Sequence, residues 1–268
     1  MVYYKKLIDK EAKRLKDLLK DDERIDQLMQ YDIEIIQSPS VFSFSLDAVL
    51  LGEFAQVPKH NRAKIIDLCS GNGAVALMLS QKTASPVTGI EIQERLVDMA
   101  NRSIKLNQLE EQVTMKNADV KEIREMIRHD SVDVVTCNPP YFKVTEESLQ
   151  NPNTHLAIAR HEIFLSLEEM MKATAFLLKT KGKAYFVHRP DRFLEILDAM
   201  RAVNLAPKRV RFVYPKEHKE ANMILIEGIK NGKETGFSVL PPLFVFDQND
   251  QYLPEVRRMI YGTERSKE

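Results

Sequence analysis

Two consecutive prolines end one strand of this chain and so decide what stands at its tip. Val132-Asp133-Val134-Val135-Thr136-Cys137 is a short apolar run rich in β-branched residues and reads as a buried strand. Asn138-Pro139-Pro140-Tyr141 follows it directly. Neither proline has an N–H to continue a ladder, and each holds φ near about −65°. The strand must stop there, and the four residues form a stiff rim just past its carboxyl end. In open parallel α/β sheets ligands bind at that position.

The chemistry open to such a rim is narrow. The Asn138 side-chain oxygen and the Pro139 backbone carbonyl are both acceptors. Converging on a planar NH2 group, they would hold both its hydrogens and turn the nitrogen lone pair toward an electrophile. Tyr141 offers a flat face for a planar group. An exocyclic amine on a base fits, and so does a side-chain amide. Taken alone, a Pro-Pro strand terminator with incidental neighbours reads equally well.

From Lys64 onward strand and helix patterns alternate. Lys64 to Leu68 is an apolar strand, Asp67-Leu68-Cys69-Ser70-Gly71-Asn72-Gly73 its turn, and Ala74 to Ser80 a helix. The glycines allow positive φ and close approach of a ligand to the backbone. No Lys-Ser/Thr follows, which argues against a nucleoside triphosphate. Val87 to Ile92 is a second strand ending at Glu91, about 20 positions past the glycines, where a carboxylate meets ribose hydroxyls. Glu94 to Asn107 is an amphipathic helix, Gln112 to Met115 a third strand, and Asp119 closes it either as a helix N-cap or as an acceptor for an adenine amine. The glycine loop, Glu91, Asp119 and Asn138 thus follow four successive strands. In a parallel sheet they share one rim.

Other stretches are less specific. Charges crowd residues 1–30 among leucines at helical spacing, which reads as a helical extension, residues 31–268 forming the main domain. Ile33 to Ile36 suits a short strand. Phe44 to Asp47 reads either as the start of a helix packed on the sheet edge, with Ser45 as N-cap, or as a lid on a pocket. Residues 142–164 show no element until Ile163 and contain Lys143, His155, Arg160, His161 and Glu162. A substrate-gripping loop is preferred there to a metal site, and no metal is expected. Leu165 to Leu178 is a helix, Lys183 to His188 a fifth strand, and a further helix runs from Pro190 to about Val203. Val210 to Tyr214 and Asn222 to Ile229 suit an antiparallel pair. A short helix is expected near Glu255 to Tyr261.

Overall charge excludes a generally basic nucleic-acid binder, since 39 Lys+Arg balance 39 Asp+Glu. Between residues 172 and 220, however, twelve Lys/Arg stand against five Asp/Glu. A local phosphate-binding flank containing Lys208, Arg209, Lys216 and Lys219 would look like this, as would a solvated surface. Cys69 and Cys137 suit free thiols. No run of about 18 apolar residues suggests a membrane span, and a cytoplasmic protein is expected.

Asp67 to Gly73, Glu91, Asp119 and Asn138 to Tyr141 together resemble the Rossmann-like, class I methyltransferases that use S-adenosylmethionine, in the branch that acts on amino groups. Phe44 to Leu51, Asn138 to Phe142, Ala159-Arg160-His161-Glu162, Val213-Tyr214-Pro215 and Lys219-Glu220-Ala221-Asn222 are similar, more narrowly, to the enzymes that N6-methylate the adenine beside the anticodon of a valine tRNA. The resemblance implies a seven-stranded, mostly parallel sheet with its last strand antiparallel and helices on both faces. It implies cofactor binding by Asp67, Gly71, Gly73, Glu91 and Asp119, with Cys69, Asn72, Ile92, Phe44 and Asn138 in the same site. It implies Asn138, Pro139, Pro140 and Tyr141 as the amine-orienting group, and tRNA as the partner, met by Lys143, Arg160, His161 and the basic flank. Cys69 departs from the pattern, standing where a glycine is usual. Methylation of a glutamine side chain in a protein such as a release factor, and an inactive RNA-binding module, are the alternatives.

Overall fold

The alternating apolar runs form a twisted α/β sheet in the computed structural model, which describes residues 18–41, 44–141 and 165–262. A hairpin of β1 (Arg24–Leu28) and β2 (Ile33–Gln37) precedes α1 (Leu46–Phe54). Next come β3 (Ile65–Leu68), α2 (Ala74–Ser80), β4 (Val87–Glu91), α3 (Glu94–Leu106), β5 (Val113–Asn117), α4 (Ile123–Met126) and β6 (Val132–Cys137). The chain continues through α5 (Leu167–Leu177), β7 (Leu178–His188), α6 (Phe193–Ala202), β8 (Leu205–Tyr214) and β9 (Met223–Lys230). Two-residue strands β10 (Ser238–Val239) and β11 (Leu243–Phe244) and the helix α7 (Pro254–Tyr261) complete it.

The strand order is β10-β8-β9-β7-β6-β3-β4-β5, with β11 also on β8. Neighbours from β5 to β7 are parallel, whereas β9 runs antiparallel to both β7 and β8. The expected seven strands are therefore present, and β10 and β11 extend the edge. After β3 the chain winds outward to β5, then returns to β6 on the other side of β3. That reversal opens a crevice at the carboxyl ends of β3 and β6, one carrying the glycine loop and the other Asn138.

Alternation along the central strands feeds two cores. Ile65, Val134, Tyr185 and Val187 face α1, α2 and α3. Ile66, Leu68, Val135, Cys137 and Phe186 face α4, α5 and α6. Burial on both faces explains why these strands read as continuous apolar runs. Ser166 starts α5 with a reciprocal capping box, its hydroxyl bound to the Glu169 amide and the Glu169 carboxylate to the Ser166 amide.

The N-terminal expectation needs correction. Residues 24–28 are a strand paired with Ile33–Gln37, not helix, and residues 1–17 lie outside the described part. Ile25 and Leu28, three apart, suit a helical stripe as well as a strand, so pairing with β2 decides the outcome. The hairpin is also tied to α3. Ser103 Oγ accepts the Ile36 amide at 2.9 Å, Asn107 Oδ1 accepts the Glu34 amide at 2.9 Å, and Arg102 grips the Glu23 carboxylate through both terminal nitrogens. At the other end of the chain, α7 packs on the hairpin turn at Met29–Tyr31, and Arg211 holds its Glu255 in a two-pronged ion pair at 2.7 and 2.9 Å. Among the described residues no helix is long and apolar enough to cross a membrane.

Candidate active site

The β3–α2 loop is shaped by three left-handed residues, Cys69 (φ 55°), Gly71 (φ 57°) and Gly73 (φ 85°). Cys69 takes the left-handed conformation that glycine adopts freely, at the roughly 1–2 kcal/mol cost of a side chain in that region. Asp67 organises the loop from beneath. Its Oδ2 accepts the Ser70 hydroxyl at 2.6 Å and its Oδ1 the Thr136 hydroxyl at 2.7 Å. Burial pushes its carboxyl up to about 6 despite those donors. The loop tip hangs from β4: Glu91 Oε2 accepts the Gly71 amide at 2.9 Å, and Oε1 accepts the Gln93 amide at 2.9 Å. Glu91 is buried, which raises its carboxyl above the usual range. Asn72 donates to the Ile36 carbonyl at 3.1 Å, tying the loop to the hairpin.

Around this loop lies a cleft of about 850 Å³, counting its open mouth. Of the residues expected at a cofactor site, Phe44, Cys69, Gly71, Asn72, Glu91, Ile92, Asp119 and Asn138 line it. Asp67 and Gly73 stand behind this lining. Both Asp67 oxygens are engaged by hydroxyls beneath the loop, and Gly73 is the N-cap of α2, where a Cβ would come within 3.1 Å of Ala100. Asp119 caps the turn after β5, its Oδ1 accepting the Lys121 amide at 2.9 Å, while the residue still faces the cleft. Ser70, Gln93, Leu96, Ala118, Val120 and Leu165 also line it. They escaped the sequence reading because none of them is a defining motif position, and Leu96 reads simply as part of the apolar face of α3.

Asn138 and Pro140 border the same cleft as Gly71 and Glu91. Pro139 and Tyr141 are set back from it. The half-buried Tyr141 ring packs on His188, with centroids 5.3 Å apart at 60°. Its hydroxyl meets Asp47 Oδ2 at 2.6 Å and, more closely, Asn138 Oδ1. The Tyr141 ring is thus anchored through its hydroxyl and its packing on His188. Asp47 is buried at the start of α1, where Oδ1 accepts the Ala48 amide at 2.8 Å and the Ser45 hydroxyl at 2.5 Å. Ser45 occupies the N-cap position, yet its hydroxyl serves Asp47 rather than a helix amide. His188 Nδ1 accepts the Arg189 amide at 2.8 Å, which puts the neutral ring's proton on Nε2. Burial lowers His188 to about 4 and leaves Nε2 without a partner.

The basic flank is dispersed, contrary to expectation. Arg209 pairs with Glu227 and stacks on Phe54, and Lys208 is held by the Lys233 and Thr235 carbonyls. Both sit in the first half of β8, away from the carboxyl rim. Lys216 and Lys219 lie in the β8–β9 turn on the rim itself, Lys216 within 2.7 Å of Asp250 and Lys219 exposed. A count along the chain could not include Glu227, Asp250 and Glu255, which arrive from later segments. Lys143, Arg160 and His161 fall in residues 142–164, outside the described part, as does the His155, His161 and Glu162 group. Among the described residues no three His, Cys, Asp or Glu side chains gather as a metal site, and both cysteines are free thiols.

The same fold recurs in a predicted O-methyltransferase from Agrobacterium tumefaciens, at 19% identity and a TM-score of 0.63, over 81% of this chain and 96% of that one. Sheet order, glycine loop, Glu91 and the Asn-Pro-Pro-Tyr rim, together with the family match and relatives that follow, mark a class I, S-adenosylmethionine-dependent methyltransferase. The profile of the methyltransferase small domain family matches residues 32–205, and the chain belongs to that family. Curated relatives include a tRNA1(Val) (adenine(37)-N6)-methyltransferase of Porphyromonas gingivalis, 28% identical over 207 residues, 74% of this chain and 78% of the relative. One of the same name from Bacteroides fragilis is 31% identical over 63% of this chain and 70% of the relative.

The cleft suits S-adenosylmethionine on its own evidence. The Glu91 carboxylate takes backbone amides from Gly71, Gln93 and Ile92, and three donors leave one of its roughly four lone pairs for a ribose hydroxyl. The Cα of Gly71 faces open space, where nothing lies within 4 Å of a built Cβ. Ile92, Leu96 and Val120 supply an apolar wall for a base, with Asp119 at its edge.

Proposed function

We propose that this methyltransferase modifies the exocyclic N6 amine of an adenine in tRNA, with the adenine beside the anticodon of a valine tRNA as the specific target. The observation that carries the reading is the place of Asn138, on the wall of the cleft that Gly71 and Glu91 also line. The names of the curated relatives support the choice of substrate.

In this reading Glu91 holds the ribose and Asp119 the adenine amine of the cofactor, while Phe44 and Ile92 cover its apolar parts. When bound, S-adenosylmethionine supplies a methyl group made electrophilic by its sulfonium. Asn138 Oδ1 and the Pro139 carbonyl each accept one hydrogen of the target amine, which aims its lone pair into the cleft. Tyr141, fixed by Asp47 and His188, sits beside the target base. A loop nucleotide is already partly unstacked, so bringing its base out costs less than the few kcal/mol of a paired one. No strong base is required, because the extra proton leaves to water after attack. Positioning of this kind contributes about 7–11 kcal/mol in favourable cases.

The test is mass spectrometry of nucleosides from tRNA lacking the modification, before and after incubation with protein and S-adenosylmethionine. N6-methyladenosine should appear at one position of one tRNA. Glutamine-containing release factors form the second arm, because a side-chain amide suits the same pair of acceptors and the dispersed basic flank does not favour RNA by charge alone. Methylation of the protein arm with none in tRNA would replace the reading.

A further inference from the structure

The Tyr141 hydroxyl has one proton and two side chains that could receive it. Asp47 Oδ2 lies 2.6 Å away, and the end of the Asn138 carboxamide is closer still. With Oδ1 of Asn138 facing Tyr141, a single proton would have to serve two acceptors. Asp47 has the stronger claim. It is 7% exposed, and its other oxygen already accepts the Ala48 amide and the Ser45 hydroxyl. Three donors converge on it, as suits an acceptor-only carboxylate, and a hydrogen bond to a charged acceptor is about twice as strong as one to a neutral amide. Burial and the neighbouring Asp47 charge also hold the phenol well above its usual value, so Tyr141 keeps its proton.

Once that proton points at Asp47, the Tyr141 oxygen offers Asn138 only lone pairs. A carboxamide oxygen there would repel it, whereas the NH2 end would be satisfied. The two ends of an amide differ little in shape, and their hydrogen bonds decide between them. The geometry points to Asp47 as a positioning residue: through the Tyr141 hydroxyl it sets the Asn138 amide with Nδ2 toward Tyr141 and Oδ1 toward the cleft. An NH2 group facing a substrate amine would oppose donor to donor, so this setting decides whether the rim can accept an amine at all. The catalytic consequence rests on the proposed role of Asn138; the orientation does not.

Asp47→Asn separates this from a structural role. The introduced carboxamide would keep its oxygen on Ala48 and Ser45 and turn its NH2 to Tyr141. Tyr141 would then donate to Asn138 and draw Oδ1 away from the cleft. Tyr141→Phe removes the hydroxyl and leaves the Asn138 amide free to take either setting. The near-isosteric Asp47→Asn should therefore lower kcat about tenfold further than Tyr141→Phe, one hydrogen bond's worth, with substrate KM and calorimetric cofactor affinity little changed. The double variant should return to the level of Tyr141→Phe alone. Equal or milder loss in Asp47→Asn, or a double variant worse than both single ones, would overturn the proposal. A readout without substrate stands beside these. In the wild-type protein, nuclear Overhauser contacts should link the Asn138 side-chain NH2 to the Tyr141 ring, and their absence would overturn the orientation even if Asp47→Asn fails to fold. Should wild-type protein methylate no RNA or protein amine, the proposed function fails while this contact still decides the orientation.

Discussion

The Glu91 carboxylate accepts the Gly71 amide at 2.9 Å across the carboxyl ends of β3 and β4. One acid thus sets the height of the glycine loop and faces the cleft the loop encloses. The site is built by such double duty, and substitutions can separate the duties.

Asn138→Ala removes an acceptor at the rim without touching the loop. Turnover should fall by about 10²-fold or more, the scale for deleting one preorganised polar contact to a reacting group, with cofactor affinity nearly unchanged. Single-turnover kinetics beside calorimetry would show it; near-normal turnover would remove Asn138 from the mechanism.

Asp67 is raised by burial from 3.8 to about 6. Between these values the folded protein keeps a proton the unfolded chain has lost, so this stabilising contribution is full below about 3.8 and is lost as pH rises through about 6. Asp67→Asn should gain on the wild type by up to about 3 kcal/mol across that window. Denaturation of both apoproteins over a pH series measures it; a constant gap would refute the buried acid.

Cys69→Gly should leave stability within about 1 kcal/mol, since relief of the left-handed strain offsets glycine's added chain entropy. Cys69→Ile, with a branched Cβ at the same φ, should cost more than about 2 kcal/mol. Urea midpoints of the two variants provide the comparison.

Gly89→Ala would place a Cβ 2.3 Å from Met115 Sδ and 2.7 Å from Ser70 Oγ. The crowding should cost about 1–3 kcal/mol and, by displacing Ser70 from Asp67, should weaken cofactor binding as well. Melting temperature and calorimetry together separate the two effects.

Lys219→Ala should weaken tRNA binding and flatten its salt dependence, the logarithmic slope falling by about 0.7–0.9 for each phosphate that Lys219 neutralises. Lys208→Ala should do neither, its amine being held by two carbonyls far from the rim. Equal effects of both would restore the continuous basic flank.

Much of the architecture was legible because β3, β4 and β6 are buried on both faces and leave apolar runs that turn residues interrupt. The Asn138 rim was legible because two prolines can end such a run in few ways. Thr136 and His188 were not legible as site residues, and Asp47 was legible only as the end of a stretch that could lid a pocket. Their parts depend on contacts across 94, 69 and 47 positions of sequence, as with Tyr141–Asp47 and Thr136–Asp67. The first arm of the hairpin, residues 24–28, was misread for a related reason: local charge and spacing suit a helix, and only β2, docked on Ser103 and Asn107, makes a strand the better choice.

The packing of α7 on the hairpin turn has a consequence far from either. The hairpin supplies the Ile36 carbonyl to Asn72 and the Gln37 side chain to the Phe44 amide, so two cleft walls lean on a support that α7 props up. Were that prop to swing away, the cleft would slacken, and apparent cofactor affinity would fall with the fraction still braced. Cargo fused beyond Gly262 would then act on cofactor retention through that brace, without a single contact to the ligand.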